Sequence, residues 1–214
     1  MEKSKFPTED AQDKTKLQKA DWVRAARKIL INEGVGGMSL RKLADDLKVT
    51  TGAFYWLYKN LGELHEDLRC DWEENNNAPF NRIFSGQIDD WKQAYMRYVR
   101  ALILETEYDP AYDNSIRNWA KSSTETSEVL KRVDALRIRQ LIKLYKSLGY
   151  DDKRALIKAN TTYYHQTGYI LMEPNDSTED RLENVPYYAE LFTGHTLFPD
   201  PDDVESIRKT LLEA

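Results

Sequence analysis

Apolar residues recur along most of this chain at three- and four-residue steps, and clean two-residue alternation over a strand length is missing. Trp22, Val23, Ala26, Ile29 and Leu30 form one stripe between Lys16 and Glu33, which predicts an amphipathic helix stopped by Gly34, Gly36 and Gly37. Ser39 precedes Leu40, Leu43, Ala44 and Leu47, so its hydroxyl is the expected N-cap of a second, short helix. Ile88, Trp91, Tyr95, Tyr98, Val99 and Leu102 trace another stripe, closed by Asp109-Pro110. Val129, Val133, Leu136, Leu141, Leu144 and Leu148 trace the next, closed by Gly149. A further stripe runs from Ala155 through Ala159, Thr162, Tyr163 and Gln166 to Ile170, after Asp151 or Asp152 as cap and before Pro174. Glu173 to Asn184 reads as a loop before a short helix over Val185 to Phe192. The pattern predicts an all-α chain.

Composition narrows the function. The chain has 214 residues, 41% of them hydrophobic, enough for a sizeable core, and a net charge of −5 that argues against a uniformly basic, histone-like protein. The charge is uneven: Lys14 to Arg69 holds 11 basic and 7 acidic residues, whereas Cys70 to the end holds 18 and 25. Cys70 is the single cysteine, which excludes an intrachain disulfide and a zinc site built from several cysteines. No apolar run approaches the roughly 20 residues that span a bilayer. Residues 1–13, charged and containing Pro7, read as a loose tail and not as a signal or anchor. A cytoplasmic location with no membrane association is expected.

The basic part carries the most specific pattern. Ser39 to Tyr58 reads as a short helix, a tight connection and a second short helix, the plan of a helix-turn-helix whose second helix enters the major groove. Leu40, Leu43, Ala44, Leu47, Val49 and Phe54 would hold the two together, and Thr50 or Thr51 would cap the second. Thr51 and Ala53 then lie where base edges would be touched, a hydroxyl and a methyl. Tyr55 and Trp56 can each donate to a phosphate, with Lys59 adding charge, or can instead pack on the first helix. Of Arg41 and Lys42, one would meet the nucleic-acid backbone and the other water. Tyr58 and Phe54 read as core.

In this stretch, from Trp22 through about Leu64, the sequence resembles the TetR-type (TetR/AcrR-like) transcriptional regulators. The likeness rests on Trp22, Ala25-Ala26, Ile29-Leu30 and Gly34 in the first helix, and on Ser39-Leu40-Arg41-Lys42-Leu43-Ala44 in the second. It continues through Lys48-Val49-Thr50-Thr51-Gly52-Ala53-Phe54-Tyr55-Trp56-Leu57-Tyr58 in the turn and third helix. Two positions depart from the pattern. The turn glycine is Lys48, which must adopt a left-handed conformation or alter the turn, and the lysine that opens the fourth helix is Leu61, a role Lys59 could take over. The resemblance implies a helix-turn-helix DNA-binding domain at 14–62 and a larger helical effector-binding and dimerisation domain at 63–214. It further implies a homodimeric, ligand-released repressor of a pseudo-palindromic operator in double-stranded DNA. Its DNA contacts would come from Ser39, Arg41, Lys42, Lys48, Thr50, Thr51, Ala53, Tyr55, Trp56 and Lys59.

The second part is rich in large amphipathic side chains, which line a small-molecule pocket or simply fill a core. Trp91, Tyr95, Tyr98, Arg117, Trp119 and Tyr163 are the candidate effector contacts, for a flat, largely apolar molecule or a lipophilic cation. The acidic balance disfavours a strongly anionic ligand unless Arg117 or Arg137 points inward. His65, His165 and His195 lack the Glu-x-x-His ligand spacing, and neither a His-Glu-x-x-His motif nor a phosphate-cradling glycine loop is present. No enzyme activity, catalytic residue, metal or cofactor is expected. The alternative of another class is a helical adaptor that has lost effector or DNA binding.

Overall fold

Trp22, Ala25, Ala26, Ile29 and Leu30 all lie on the buried side of α1 (Lys19–Glu33), as their spacing predicts. In this computed structural model, which describes residues 17–172 and 176–214, the chain is all-α, with ten α-helices and no strand among the described residues. The expectation for residues 1–13 lies outside them. Among the described residues, no helix is long and apolar enough to cross a membrane.

After α1 a 3-10 turn, Val35–Gly37, leads to α2 (Leu40–Asp46), where the Ser39 hydroxyl accepts the Lys42 N–H at 3.3 Å. α2 ends in a Schellman turn: Lys48 N–H donates to the Asp45 carbonyl at 3.2 Å and Val49 N–H to the Ala44 carbonyl at 2.9 Å. Lys48 takes φ +56°, so the chain keeps the left-handed turn without its glycine. The same turn closes α7 at Gly149, whose glycine meets the need at no steric cost.

The predicted third α-helix is instead a 3-10 segment, Thr51–Trp56, closed by Ala53 N–H to Thr50 carbonyl and Leu57 N–H to Phe54 carbonyl, both 3.0 Å. Six residues that include Thr51 and Gly52 repay helix nucleation poorly, and the tighter coil is the usual result in short pieces. Thr50 occupies the N-cap position with its side chain unused. Asn60 caps α3 (Leu61–Asn75) through the Glu63 N–H at 3.2 Å, and α4 (Ala78–Ile83) follows.

The rest is α5 (Trp91–Leu104), α6 (Pro110–Ala120), α7 (Thr124–Ser147), α8 (Asp152–Met172), α9 (Thr178–Thr193) and α10 (Val204–Glu213). Asp151 is the cap of α8, accepting the Arg154 N–H at 2.8 Å. The predicted loop over Glu173–Asn184 is corrected: residues 173–175 lie outside the description, but α9 already begins at Thr178. There Ser177 and Asp180 form a reciprocal capping box, which outweighs the loop-forming composition around it.

Two apolar clusters organise these helices. The first joins α1, α2 and the 3-10 segment to Leu64, Leu68 and Trp72 of α3, Tyr112 and Ile116 of α6 and Val133 of α7. The second joins α4, α5, α7, α8, α9 and α10, with the fully buried Ala155 and Ala159 letting α8 approach α7 closely. Between the clusters sits a polar knot. Asp113, 1% exposed, accepts from Arg117 Nε at 3.0 Å and lies 2.9 Å from Arg137 Nη1. Arg117 also reaches Asp134 at 2.8 Å and the Tyr163 hydroxyl at 2.7 Å, and Arg137 Nε donates to Asn77 at 2.7 Å. The Arg137 guanidinium lies 5.7 Å from the Trp72 ring of the first cluster and 5.3 Å from the Phe80 ring of the second. Burial is the largest single influence and depresses both guanidinium pKa values, yet the Asp113 carboxylate, joined by Tyr163 and by Asp134 at Arg117 or Tyr108 at Arg137, raises both above the ordinary range.

Two outcomes follow for stability. Asp113→Asn keeps the shape but leaves buried positive charge uncompensated, so urea denaturation should show a loss of about 3 kcal/mol or more. Lys48→Gly should raise stability by about 1 kcal/mol, because a left-handed L-residue costs about 1–2 kcal/mol and glycine's greater unfolded entropy returns only part of that.

Candidate nucleic-acid interface

The 3-10 segment is held from beneath by two aromatic anchors. Phe54 meets Trp22 edge-on at 5.2 Å and stacks on Tyr58 at 5.1 Å, and both anchors are buried as the sequence predicts. The Tyr58 hydroxyl donates to Asp67 Oδ2 of α3 at 2.9 Å. Lys19 of α1 bridges to the same carboxylate at 3.0 Å while lying 4.6 Å over the Tyr58 ring. Burial, then the Asp67 hydrogen bond, raises the Tyr58 pKa, so the hydroxyl stays a donor. One side chain thus fixes the segment to α1 and α3 together.

The opposite side is open. Tyr55 is 61% exposed and Trp56 86%, so neither packs on α1. Thr50 and Thr51 are exposed, and Lys48 stands on the preceding turn, also exposed. Ala53 is half-buried against the first cluster, so only part of its methyl reaches the surface. Gly52 has free space around it: a Cβ there would meet only Thr50 Oγ1, at 3.7 Å. The Ser39 hydroxyl serves as the α2 cap.

Of the cations, Lys42 is tied to Glu33, whereas Arg41 makes only a loose 3.9 Å approach to Asp45. Lys59 is almost fully exposed and lies 3.6 Å from Glu63. Leu61 is half-buried against the first cluster, so Lys59 is the nearest available charge at the start of α3. Such exposed pairs hold their partners weakly and exchange readily for a phosphate.

The candidate effector contacts do not converge on one place. Trp119 belongs to the first cluster, edge-on to His65 at 5.1 Å, and Trp91 packs on His195 at 5.0 Å. Arg117 and Tyr163 are engaged in the polar knot with Asp134. Arg117 and Arg137 do point inward, but Asp113 and Asp134 neutralise them. Tyr95 and Tyr98 line a cavity of about 100 Å³ between α5, α8 and α9, and Tyr98 and Tyr163 line a second of about 20 Å³ between α5, α6, α7 and α8. The sequence reading missed the contribution of α9 because it began that helix at Val185; the Ser177-x-x-Asp180 box was the signal that could have found it.

Fold and surface are separable here. Trp56→Ala should change unfolding free energy by less than about 0.5 kcal/mol, whereas Phe54→Ala should cost about 3–5 kcal/mol, both read from denaturant melts.

No protein-family model matches the chain, and no curated protein matches it. Among solved structures, it is similar to BioQ with its natural double-stranded DNA operator, at 20% identity over 92% of this chain and 99% of that chain, with a TM-score of 0.38. It is likewise similar to Mycobacterium smegmatis BioQ, at 22% identity over 92% of this chain and 99% of that chain, with a TM-score of 0.40.

Proposed function

We propose that the protein is a sequence-specific DNA-binding transcriptional regulator of the TetR type, with Thr50 to Trp56 as its reading segment. The observation that carries this is the exposure of Tyr55 and Trp56 on a segment whose other aromatics, Phe54 and Tyr58, are buried anchors. Large aromatic side chains left in solvent on a short, firmly held element are unused by the fold and free for a partner. Their hydroxyl and indole N–H, with Arg41, Lys48 and Lys59 close by in sequence, suit phosphate oxygens, and Thr51 suits a base edge.

Homodimerisation supplies the two reading segments that a pseudo-palindromic operator requires. In support of it, Ile157, Tyr164 and Leu171 recur every seven residues on α8 and are exposed, as is Met172. Tyr187, Tyr188 and Leu191 are exposed on α9, and two such helices from each copy would pack as a four-helix bundle. Repression follows where the operator overlaps a promoter. A small molecule held in the helical body would release it by preferring a conformation whose two segments are wrongly spaced.

Selection of bound sites from random duplexes tests the reading. A selected site should be bound with strong salt dependence; Lys59→Ala should lower the salt slope by about one unit, and Thr51→Ala should relax preference at particular bases. Unchanged affinity and slope in both Lys59→Ala and Tyr55→Phe would overturn the contact map, and no selected site at all would leave the adaptor alternative. Sedimentation should give twice the 25.0 kDa chain mass, reduced to one chain by Ile157→Asp with Leu191→Asp.

A further inference from the structure

The larger cavity has an unusual polar balance. It lies between α5, α8 and α9, and apolar side chains such as Val99, Leu102 and Val185 form much of its wall. Several of its polar groups are already used. The Thr162 hydroxyl is 2.6 Å from that of Tyr145, the Tyr169 hydroxyl donates to Asp176 at 2.8 Å, and Arg181 is held by Glu105 and the Leu102 carbonyl. Arg181 therefore enters the wall as a neutralised group, whereas Asp176, exposed and held by the Tyr169 hydroxyl alone, is the one lining carboxylate with no ion pair among the described residues. His165 supplies no positive charge, since burial lowers its pKa and it sits against the rings of Tyr188 at 4.7 Å and Phe192 at 5.1 Å.

Two buried tyrosine hydroxyls remain, beside the half-buried Gln166 side chain, which makes no hydrogen bond with any described residue, and the hydroxyl of the exposed Tyr188. Tyr95 and Tyr98 are 3% and 6% exposed, both line the cavity, and neither hydroxyl makes a hydrogen bond with any described residue. Neither oxygen is among the closed-off buried atoms that lack a partner, so each keeps access to open space, and two such hydroxyls one helical turn apart on α5 and bordering the same cavity are donors available to a guest. An anion entering the cavity would lose its hydration and find its one cation, Arg181, already paired, and a cation would find only the exposed Asp176 carboxylate while losing its own hydration inside. A pure hydrocarbon would enter but leave both hydroxyls unpaired. The volume of about 100 Å³ is below the roughly 150 Å³ of an engineered cavity that takes up benzene, so a guest of one ring fills it and continues into its opening.

We propose that this cavity binds a small neutral molecule, about one ring in size, whose carbonyl or ether oxygen accepts hydrogen bonds from Tyr95 and Tyr98. This rests on the regulator reading for its purpose, as the chemistry of the releasing molecule, but its test uses the free protein without DNA. Acetophenone and α-methylstyrene have nearly the same shape and differ in carrying a carbonyl oxygen or a methylene. By calorimetry on the full chain, acetophenone should bind at least tenfold more tightly. The double variant Tyr95→Phe with Tyr98→Phe should bring the two probes within about twofold, by weakening acetophenone and not by strengthening both. Circular dichroism verifies its fold, and the wild-type comparison stands without it.

Equal or tighter binding of α-methylstyrene to the wild type would overturn hydroxyl recognition. Tighter binding of benzoate or benzylammonium would overturn the neutral assignment, and no binding of any probe at millimolar concentration would overturn the site itself. Binding of acetophenone as described by a protein that selects no DNA would leave the cavity chemistry standing and remove the regulator reading alone.

Discussion

A carboxylate with almost no access to water sets the terms for this fold. Asp113 holds two guanidinium groups in the interior, Arg117 by a hydrogen bond and Arg137 by a 2.9 Å ionic approach. Asp113 Oδ1 and Arg137 Nη2 keep no hydrogen-bond partner among the described residues, so the pairing of charge and not full hydrogen bonding makes this buried placement tolerable. The placement engages α6 through Asp113 and Arg117, α7 through Asp134 and Arg137, and α8 through Tyr163. Asn77, just before α4, completes the set. Arg137 touches aromatic rings of both apolar clusters, so the knot is also the seam between them. Apolar packing tolerates small slides of one helix on another; a network of directional bonds at the seam does not.

The same rigidity extends toward the 3-10 segment by another route. Arg27 of α1 pairs with Asp109 at 2.6 Å, and Asp109 caps α6 while exchanging hydrogen bonds with Asn76 at the end of α3. Tyr112, beneath the Arg27 guanidinium at 4.5 Å, donates to the Leu68 carbonyl at 2.7 Å. A shift of α6 therefore acts on α1 and α3 together, the two helices to which Tyr58 fixes the 3-10 segment. The larger cavity borders α5 and α8, and α8 meets the knot through Tyr163. Packed elements and polar bonds thus connect the cavity wall with the exposed aromatics by a continuous path.

The first cluster was readable because its signals are local. Helical spacing marked Trp22, Ala25, Ala26, Ile29 and Leu30, Ser39 announced its cap, and Lys48 had to be left-handed if the turn was kept. The 3-10 coil of Thr51–Trp56 was not readable, since α and 3-10 forms share nearly the same short-range pattern over six residues. The knot was hidden for a different reason. Asp113, Arg117, Asp134 and Arg137 look like a solvated charged face in sequence, and only the packing of three helices turns that face inward. The tyrosines posed the opposite difficulty: thirteen of them serve as core, cap partner, surface and cavity wall, and nothing local separates Tyr95 from Tyr145.

Trp56 gives the molecule a spectroscopic asymmetry. Of the five tryptophans, Trp22, Trp72 and Trp119 are buried and Trp91 is half-buried, so the red edge of the fluorescence emission belongs largely to a single indole in water. Whatever covers the Thr51–Trp56 face must perturb that emission, while events in the interior act on the bluer remainder. The chain carries an intrinsic optical probe of its own surface, in which occupancy of the Thr51–Trp56 face and changes in the interior fall at different wavelengths without any label.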